Sequence, residues 1–208
     1  KLSKIEGSVC NTCYACKGMY RFNNVIEPRK NRHNIILEAM KNDPSTWVEA
    51  MVASIIKTKN PLFRWHDSGD IFSFEYMLLI MEIARLTPNT QHWIPTKEKT
   101  KISKLIRDGY TIPENVVFRV SDSMIGVSSK TGIDHPSVVK CGTLSKEDSK
   151  KVKNNEEISV EGIVCPAWKQ GKMVKSRKTK QMEMEYGFCF DCKNCWDKKT
   201  AKVWYPIH

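Results

Sequence analysis

Residues 61–96 read PLFRWHDSGDIFSFEYMLLIMEIARLTPNTQHWIPT, and this stretch decides the fold. Leu62 to His66 is a short extended run that ends in the polar turn Asp67-Ser68-Gly69-Asp70. Ser73 then caps a helix whose Tyr76 to Ala84 portion is largely apolar, and Thr87-Pro88 stops it. His92-Trp93-Ile94 reads as a second strand, and Thr96 as the cap of a helix from Lys97 to about Arg107. Working outward, Val116 to Val120 is a third strand that ends at Ser121-Asp122-Ser123. Strand and helix alternate through short loops, which predicts a parallel sheet with crossover helices.

Upstream, Asn31 to Lys41 is helical, with Ile35, Ile36, Ala39 and Met40 on its apolar side. Asp43 caps a second helix with Pro44 at its first position, and Trp47, Val48, Met51, Val52, Ile55 and Ile56 follow at helical spacing. Downstream the signal weakens. Val138 to Lys140 is a short strand and Ile158 to Val164 a better one. Ser145 to Glu157 is charged and expected to be exposed, and Cys165 to His208 reads as a metal-tied appendage.

In parallel sheets the chemistry lies beyond the carboxyl ends of the strands. Three strands here end in polar groups: His66, Asp67, Ser68 and Asp70; then Thr96 and Lys97; then Ser121 and Asp122. The plainer reading is turn chemistry and helix caps, with Asp70, Ser73 and Thr96 each serving only as a cap.

The 208 residues suffice for one substantial core, so the eight cysteines are not needed to hold the fold. Six of them form two triplets, Cys10, Cys13 and Cys16, and Cys189, Cys192 and Cys195. Lys1 to Gly7 is mostly polar and no secretory signal follows, so a reducing cytoplasm is expected, where clustered cysteines read as metal or redox sites. No apolar run is long enough for a membrane span, and no membrane partner is expected.

Three thiolates within seven residues suit the separate corners of a [4Fe–4S] cubane better than one tetrahedral zinc. They leave one iron open to a further ligand. Cys165 with Cys189, Cys192 and Cys195 makes a four-thiolate set, which fits a closed [4Fe–4S] cluster or, alternatively, zinc. Cys141 completes the first cluster or is an ordinary buried thiol. The formal charge is +11, and Lys169, Lys172, Lys175, Arg177, Lys178 and Lys180 make the segment 169–180 a candidate contact for a nucleotide or nucleic acid.

The blocks Cys10-x2-Cys13-Tyr-Ala-Cys16-Lys-Gly18, Arg64-Trp-His66-Asp-Ser-Gly69-Asp70, Pro95-Thr96-Lys97 and Cys165-Pro … Cys189-x2-Cys192-x2-Cys195-Trp196 resemble the phage gene product 88 family over nearly the whole chain. That resemblance implies a phage or prophage protein in the cytoplasm of a bacterial host. A weaker resemblance is to the radical S-adenosylmethionine (SAM) superfamily. It implies a partial (β/α) barrel of parallel strands with a small C-terminal Cys-rich metal-binding appendage. It also implies SAM on the open iron, its amino group held at Ser68, Gly69 and Asp70, and its ribose at Ser121 and Asp122. An auxiliary cluster near the C-terminus and an external electron donor come with it. The superfamily's spacing is Cys-x3-Cys-x2-Cys, whereas this chain has Cys-x2-Cys-x2-Cys and lacks the usual Gly-Gly-Glu.

Together these readings give residues 1–140 as a cluster-binding α/β partial barrel and 141–208 as the barrel end with its appendage. The function expected is that of a radical-SAM-like iron–sulfur enzyme acting on a nucleotide or nucleic acid, with His66, Asp70, Lys97 and Asp122 positioning the substrate. The alternative is a non-catalytic protein, stapled by zinc or iron–sulfur, that binds nucleic acid or regulates.

Overall fold

The computed structural model describes residues 2–166, 172–175, 182–185 and 192–207. Short 3-10 turns, Leu2–Lys4, Tyr14–Cys16 and Gly18–Arg21, carry the N-terminal segment into helix α1, Asn23–Asn42. Then follow α2 (Pro44–Thr58), β1 (Leu62–Arg64), α3 (Phe74–Leu86), β2 (Gln91–Thr96), α4 (Lys99–Arg107), β3 (Val116–Ser121), β4 (Val138–Thr143) and α5 (Lys146–Lys153). After these come β5 (Ile163–Val164), β6 (Lys172–Lys175), β7 (Met182–Glu185) and β8 (Lys202–Tyr205). Strands β1-β2-β3-β4-β8-β5 form a sheet whose pairings are all parallel, curled into a half-barrel. Strands β6 and β7 pair antiparallel as a separate ribbon.

Local chemistry explains the starts. The Asp43 carboxylate accepts from Thr46 N, with Pro44 in the first turn, and the Ser45 and Thr46 hydroxyls hold its pKa down at about 2. Ser73 Oγ accepts from Tyr76 N and opens α3, which buries Tyr76, Met77, Ile80, Met81, Ile83 and Ala84. Helices α2, α3 and α4 pack one face of the sheet through Ile55, Ile80, Ile102 and Leu105 against Ile94, Val116, Phe118 and Val120. The pleat turns Trp93, Arg119, Cys141, Val203 and Tyr205 to the other face.

The amino end of the sheet is closed by a fully partnered polar network. Asn115 Nδ2 donates to the carbonyls of Ala84, Thr87 and Thr90, the orphan acceptors of the α3 terminus and its turn. Trp65 Nε1 donates to His92 Nδ1, so that nitrogen is the acceptor and the proton sits on Nε2, 2.8 Å from Thr87 Oγ1. The Thr87 hydroxyl passes its own proton to Ile83 O. His92 is a neutral core histidine, and burial lowers its pKa to about 4.

Several sequence expectations are corrected. Helix α1 begins at Asn23, eight residues before Asn31, and accommodates Pro28 within it. Ser145 caps α5 inside the stretch expected to be merely exposed, with Ser149 and Val152 buried. Strand β5 covers Ile163–Val164 alone, and the helix after β2 begins at Lys99 with Glu98 as its cap residue. β8 inserts between β4 and β5, so the last strand, expected to lie in an appendage, belongs to the sheet. Among the described residues no strand precedes the first cysteine triplet, and Ser121 ends the third strand.

Candidate metal centre at the carboxyl edge of the sheet

Cys10, Cys13 and Cys16 lie in successive three-residue turns, Cys13 N bonding Cys10 O and Cys16 N bonding Cys13 O. Cys13 itself is non-helical, with φ −58 and ψ 124, so the two turns are not one continuous coil, and the three thiols do not converge as a ligand group in this structure. Cys10 and Cys13 are half-buried and Cys16 is exposed. The segment is fastened at two points. Val9 N donates to Ser123 O and Ile125 N to Gly7 O, a short antiparallel bridge to the loop after β3. Gly7 takes φ +74 there, and a Cβ would stand 3.3 Å from Met124 Cε. The second fastening is to the loop after β1, where the Tyr14 hydroxyl donates to Asp67 O and Tyr20 OH to Asp67 Oδ2 at 2.6 Å. The triplet therefore lies across the carboxyl ends of β1 and β3.

The loop after β1 is set by two unusual backbone positions. Gly69 has φ +96, which excludes most side chains although the space around it is open. His66 has φ +56 without being glycine, a strained position of the kind that functional sites retain. Its Nε2 lies 3.1 Å from Tyr76 OH, while its Nδ1 is buried without a partner. Burial lowers the His66 pKa, so the ring is neutral. Burial also raises Tyr76 to about 12, so the phenol keeps its proton.

Asp70 is fully engaged. Its Oδ1 accepts from Thr96 Oγ1 at 2.6 Å and Ile71 N at 2.8 Å, and its Oδ2 from Lys97 N at 2.8 Å. It pins the β1 loop to the end of β2. Thr96 also accepts from Glu98 N, but it stands two residues before the cap position, so the cap expected of Thr96 is not made and Glu98 caps α4 without a side-chain bond. Asp122 accepts from Ser123 N and Met124 N and faces Lys99 Nζ at 3.5 Å. Ser68, Lys97 and Ser121 are half-buried along the same edge. The structure thus brings His66, Ser68, Gly69, Asp70, Lys97, Ser121 and Asp122 to one side of the sheet with Cys10, Cys13 and Cys16.

The second cysteine group lies on the inner face. Trp93, Cys195 and Val203 are buried together, with Cys165, Trp196 and Tyr205 packed against them. Cys165 N bonds Trp204 O at the end of β5, and Cys195 Sγ is 3.0 Å from Tyr205 OH. Cys141 is buried beside Arg119, Cys195 and Lys97, and burial pushes its thiol up to about 12. Cys192 is half-buried, and Cys189 falls outside the described residues, as does most of 169–180. Among the described residues no three His, Cys, Asp or Glu side chains converge as metal ligands.

Arg119 organises this face, and sequence reasoning passed over it. It is fully buried, and its guanidinium donates to the carbonyls of Cys195, Asn194, Asp197 and Thr200 at 2.5–3.2 Å, with a long fifth contact to Lys140 O at 3.5 Å. No carboxylate oxygen lies within ion-pair distance of it among the described residues. The available signal was one arginine inside the apolar run Val116-Val-Phe-Arg-Val120. Trp93 Nε1 is buried with no acceptor, although its ring touches Cys195 and stacks on Tyr205. Cation, thiols and a spare N–H make a setting that suits an anionic sulfur-ligated group.

The family described as gene product 88 matches residues 4–198. No curated protein and no solved structure matches the chain. No helix among the described residues is long and apolar enough to cross a membrane. With the match spanning nearly the entire chain, including both cysteine groups, this protein belongs to the phage gene product 88 family.

Proposed function

We propose that this chain is an iron–sulfur enzyme with a site-differentiated [4Fe–4S] cluster on Cys10, Cys13 and Cys16. A second cluster would be held by Cys165, Cys189, Cys192 and Cys195, of which Cys165 and Cys195 pack on the inner face. The observation that carries the reading is the position of the triplet. It is tied across the carboxyl edge of a parallel sheet, between the loops after β1 and β3, where such folds place their chemistry. The open iron of a three-cysteine cluster supplies a coordination site for SAM or a comparable ligand. The chain's own residues shape the space beside it. Asp70, with both oxygens engaged, holds the β1 loop and does not react. His66, neutral and with one ring nitrogen unpartnered, is the group on that loop best able to meet a ligand atom. On the inner face Arg119 offsets thiolate charge, and the Trp93 N–H is the donor available to a cluster sulfur.

The first experiment is iron, sulfide and zinc analysis of anaerobically purified protein, with absorption spectra before and after SAM. About eight irons and eight sulfides per chain are expected, with a spectral change on adding SAM. Zinc without sulfide overturns the reading. It would leave the second one, a metal-stapled binding protein, which the charge of +11 favours.

A further inference from the structure

A cleft of about 780 Å³ opens between α1 and the loop after β1. None of its lining residues is a cysteine, so it is separate from both ligand sets. Its α1 wall carries Arg29, Lys30 and Arg32. Lys30 is paired with Glu27 at 2.9 Å. Arg29 and Arg32 have no carboxylate within ion-pair distance among the described residues, and Arg29 lies over the Tyr20 ring at 5.3 Å. Two carboxylates, Asp67 and Asp70, share the lining; they accept from Tyr20 OH and from three donors respectively, and neither is within ion-pair distance of Arg29 or Arg32. The two guanidinium groups on the α1 wall therefore have no direct counter-charge.

The far side is aromatic. Phe72 stacks on Tyr76, with centroids 4.4 Å apart and planes 17° apart, and remains 38% exposed. The His33 ring of α1 meets Phe72 edge-on, with centroids 5.0 Å apart, and the exposed part of Phe72 beside it is aromatic surface on which a further flat ring can pack. The buried, unpartnered His66 Nδ1 belongs to the same lining. Two guanidinium groups without a carboxylate partner, an exposed aromatic ring and an unpartnered His66 nitrogen in one lining match the parts of one ligand class. A volume of this size accommodates a small molecule of that kind.

We propose that this cleft binds a phosphorylated nucleoside, with Arg29 and Arg32 on the phosphate and Phe72 beneath the base. The proposal names the substrate class of the function proposed above and the place where it docks. That place is α1 and the β1 loop, not the basic segment 169–180. It does not depend on which metal the cysteines hold.

The test is calorimetric titration of the full-length protein as purified, using the four common 5′-mononucleotides, inorganic phosphate and a short oligothymidylate as probes. Metal content is measured on the same sample, so failure of the cluster reading and failure of this one are seen separately. Binding of at least one mononucleotide is expected, at least tenfold weaker in Arg29→Gln/Arg32→Gln. Phe72→Leu should weaken nucleotide binding several-fold and leave phosphate binding unchanged. Phe72 and Arg32 are exposed and Arg29 is half-buried, so these variants are expected to fold. The unmodified protein gives a second readout, since Trp47 lies 5.9 Å from Tyr76 and its fluorescence should respond to nucleotide. Tighter binding of the oligonucleotide that is still lost in the double variant would identify the ligand as a strand end. No binding of any probe overturns the proposal, and so does binding that the three substitutions leave unchanged.

Discussion

The two ends of the parallel sheet treat their polar groups in opposite ways. At the amino end, Asn115, His92, Thr87 and Trp65 form a closed circuit in which each donor has an acceptor. At the carboxyl end, His66 keeps a buried nitrogen without a partner on a strained backbone, and the cysteines are half-buried or exposed. His92 and His66 make the contrast in miniature, both neutral and both shifted down by burial, one fully partnered and one half partnered. A closed network adds stability and can bind nothing more, whereas an open one has capacity for a ligand. Arg119 stands between these cases, a buried cation saturated by carbonyls that fastens the Cys195 loop to the inner face.

The largest effect expected is therefore at Arg119. Arg119→Met leaves four carbonyls, two of them in fully buried bonds, without their donor, and should lower unfolding free energy by about 3–5 kcal/mol or yield insoluble protein. Arg119→Lys should recover part of that loss. A urea midpoint in the Met variant close to that of the parent would break the idea that this cation holds the loop.

The amino end should announce itself through acid. His92 has its pKa lowered in the folded state from 6.5 to about 4. The unfolded chain therefore binds the extra proton first. The associated stability is present in full above about pH 6.5 and is lost as pH falls toward 4, amounting to about 3 kcal/mol. His92→Gln should flatten that part of the pH–stability curve without altering metal content or nucleotide binding. An unchanged slope would contradict the assignment of a buried neutral imidazole.

The smallest effect on stability, and the largest on composition, is expected at the triplet. Cys13→Ala should change unfolding free energy by no more than about 0.5 kcal/mol, because the residue lies outside the packed core. Iron content should fall by about half. A destabilised Cys13→Ala protein, or one with its iron intact, would erase the contrast between the two ends.

Much of this architecture was legible because short-range chemistry and tertiary packing agree. The Asp43-Pro44 start of α2, the Ser73 start of α3 and the apolar strands β2 and β3 are all local signals that the core then rewards with burial. The polar strand ends were legible for the same reason, and the structure gathers them on one edge. What escaped notice depends on distance along the chain. Nothing near Lys202–Tyr205 says that this strand slots between two others about 40 and 60 residues earlier. The importance of Arg119 rests on carbonyls 75 to 81 residues away. Helix α1 was shortened in the sequence reading because it buries no residue and contains Pro28, so its apolar periodicity is weak.

The insertion of β8 has a consequence for how the protein is made. On the ribosome, β1 to β4 can pair in the order in which they emerge, but β5 has no neighbour among the described strands until residues 202–205 arrive. Its edge and the flank of β4 stay open while the cysteine-bearing connection is synthesised. That part of the sheet closes only once residues 202–205 have been made and β8 has entered between β4 and β5. Cys165 and Cys195 are therefore both made before the inner face against which they pack is complete.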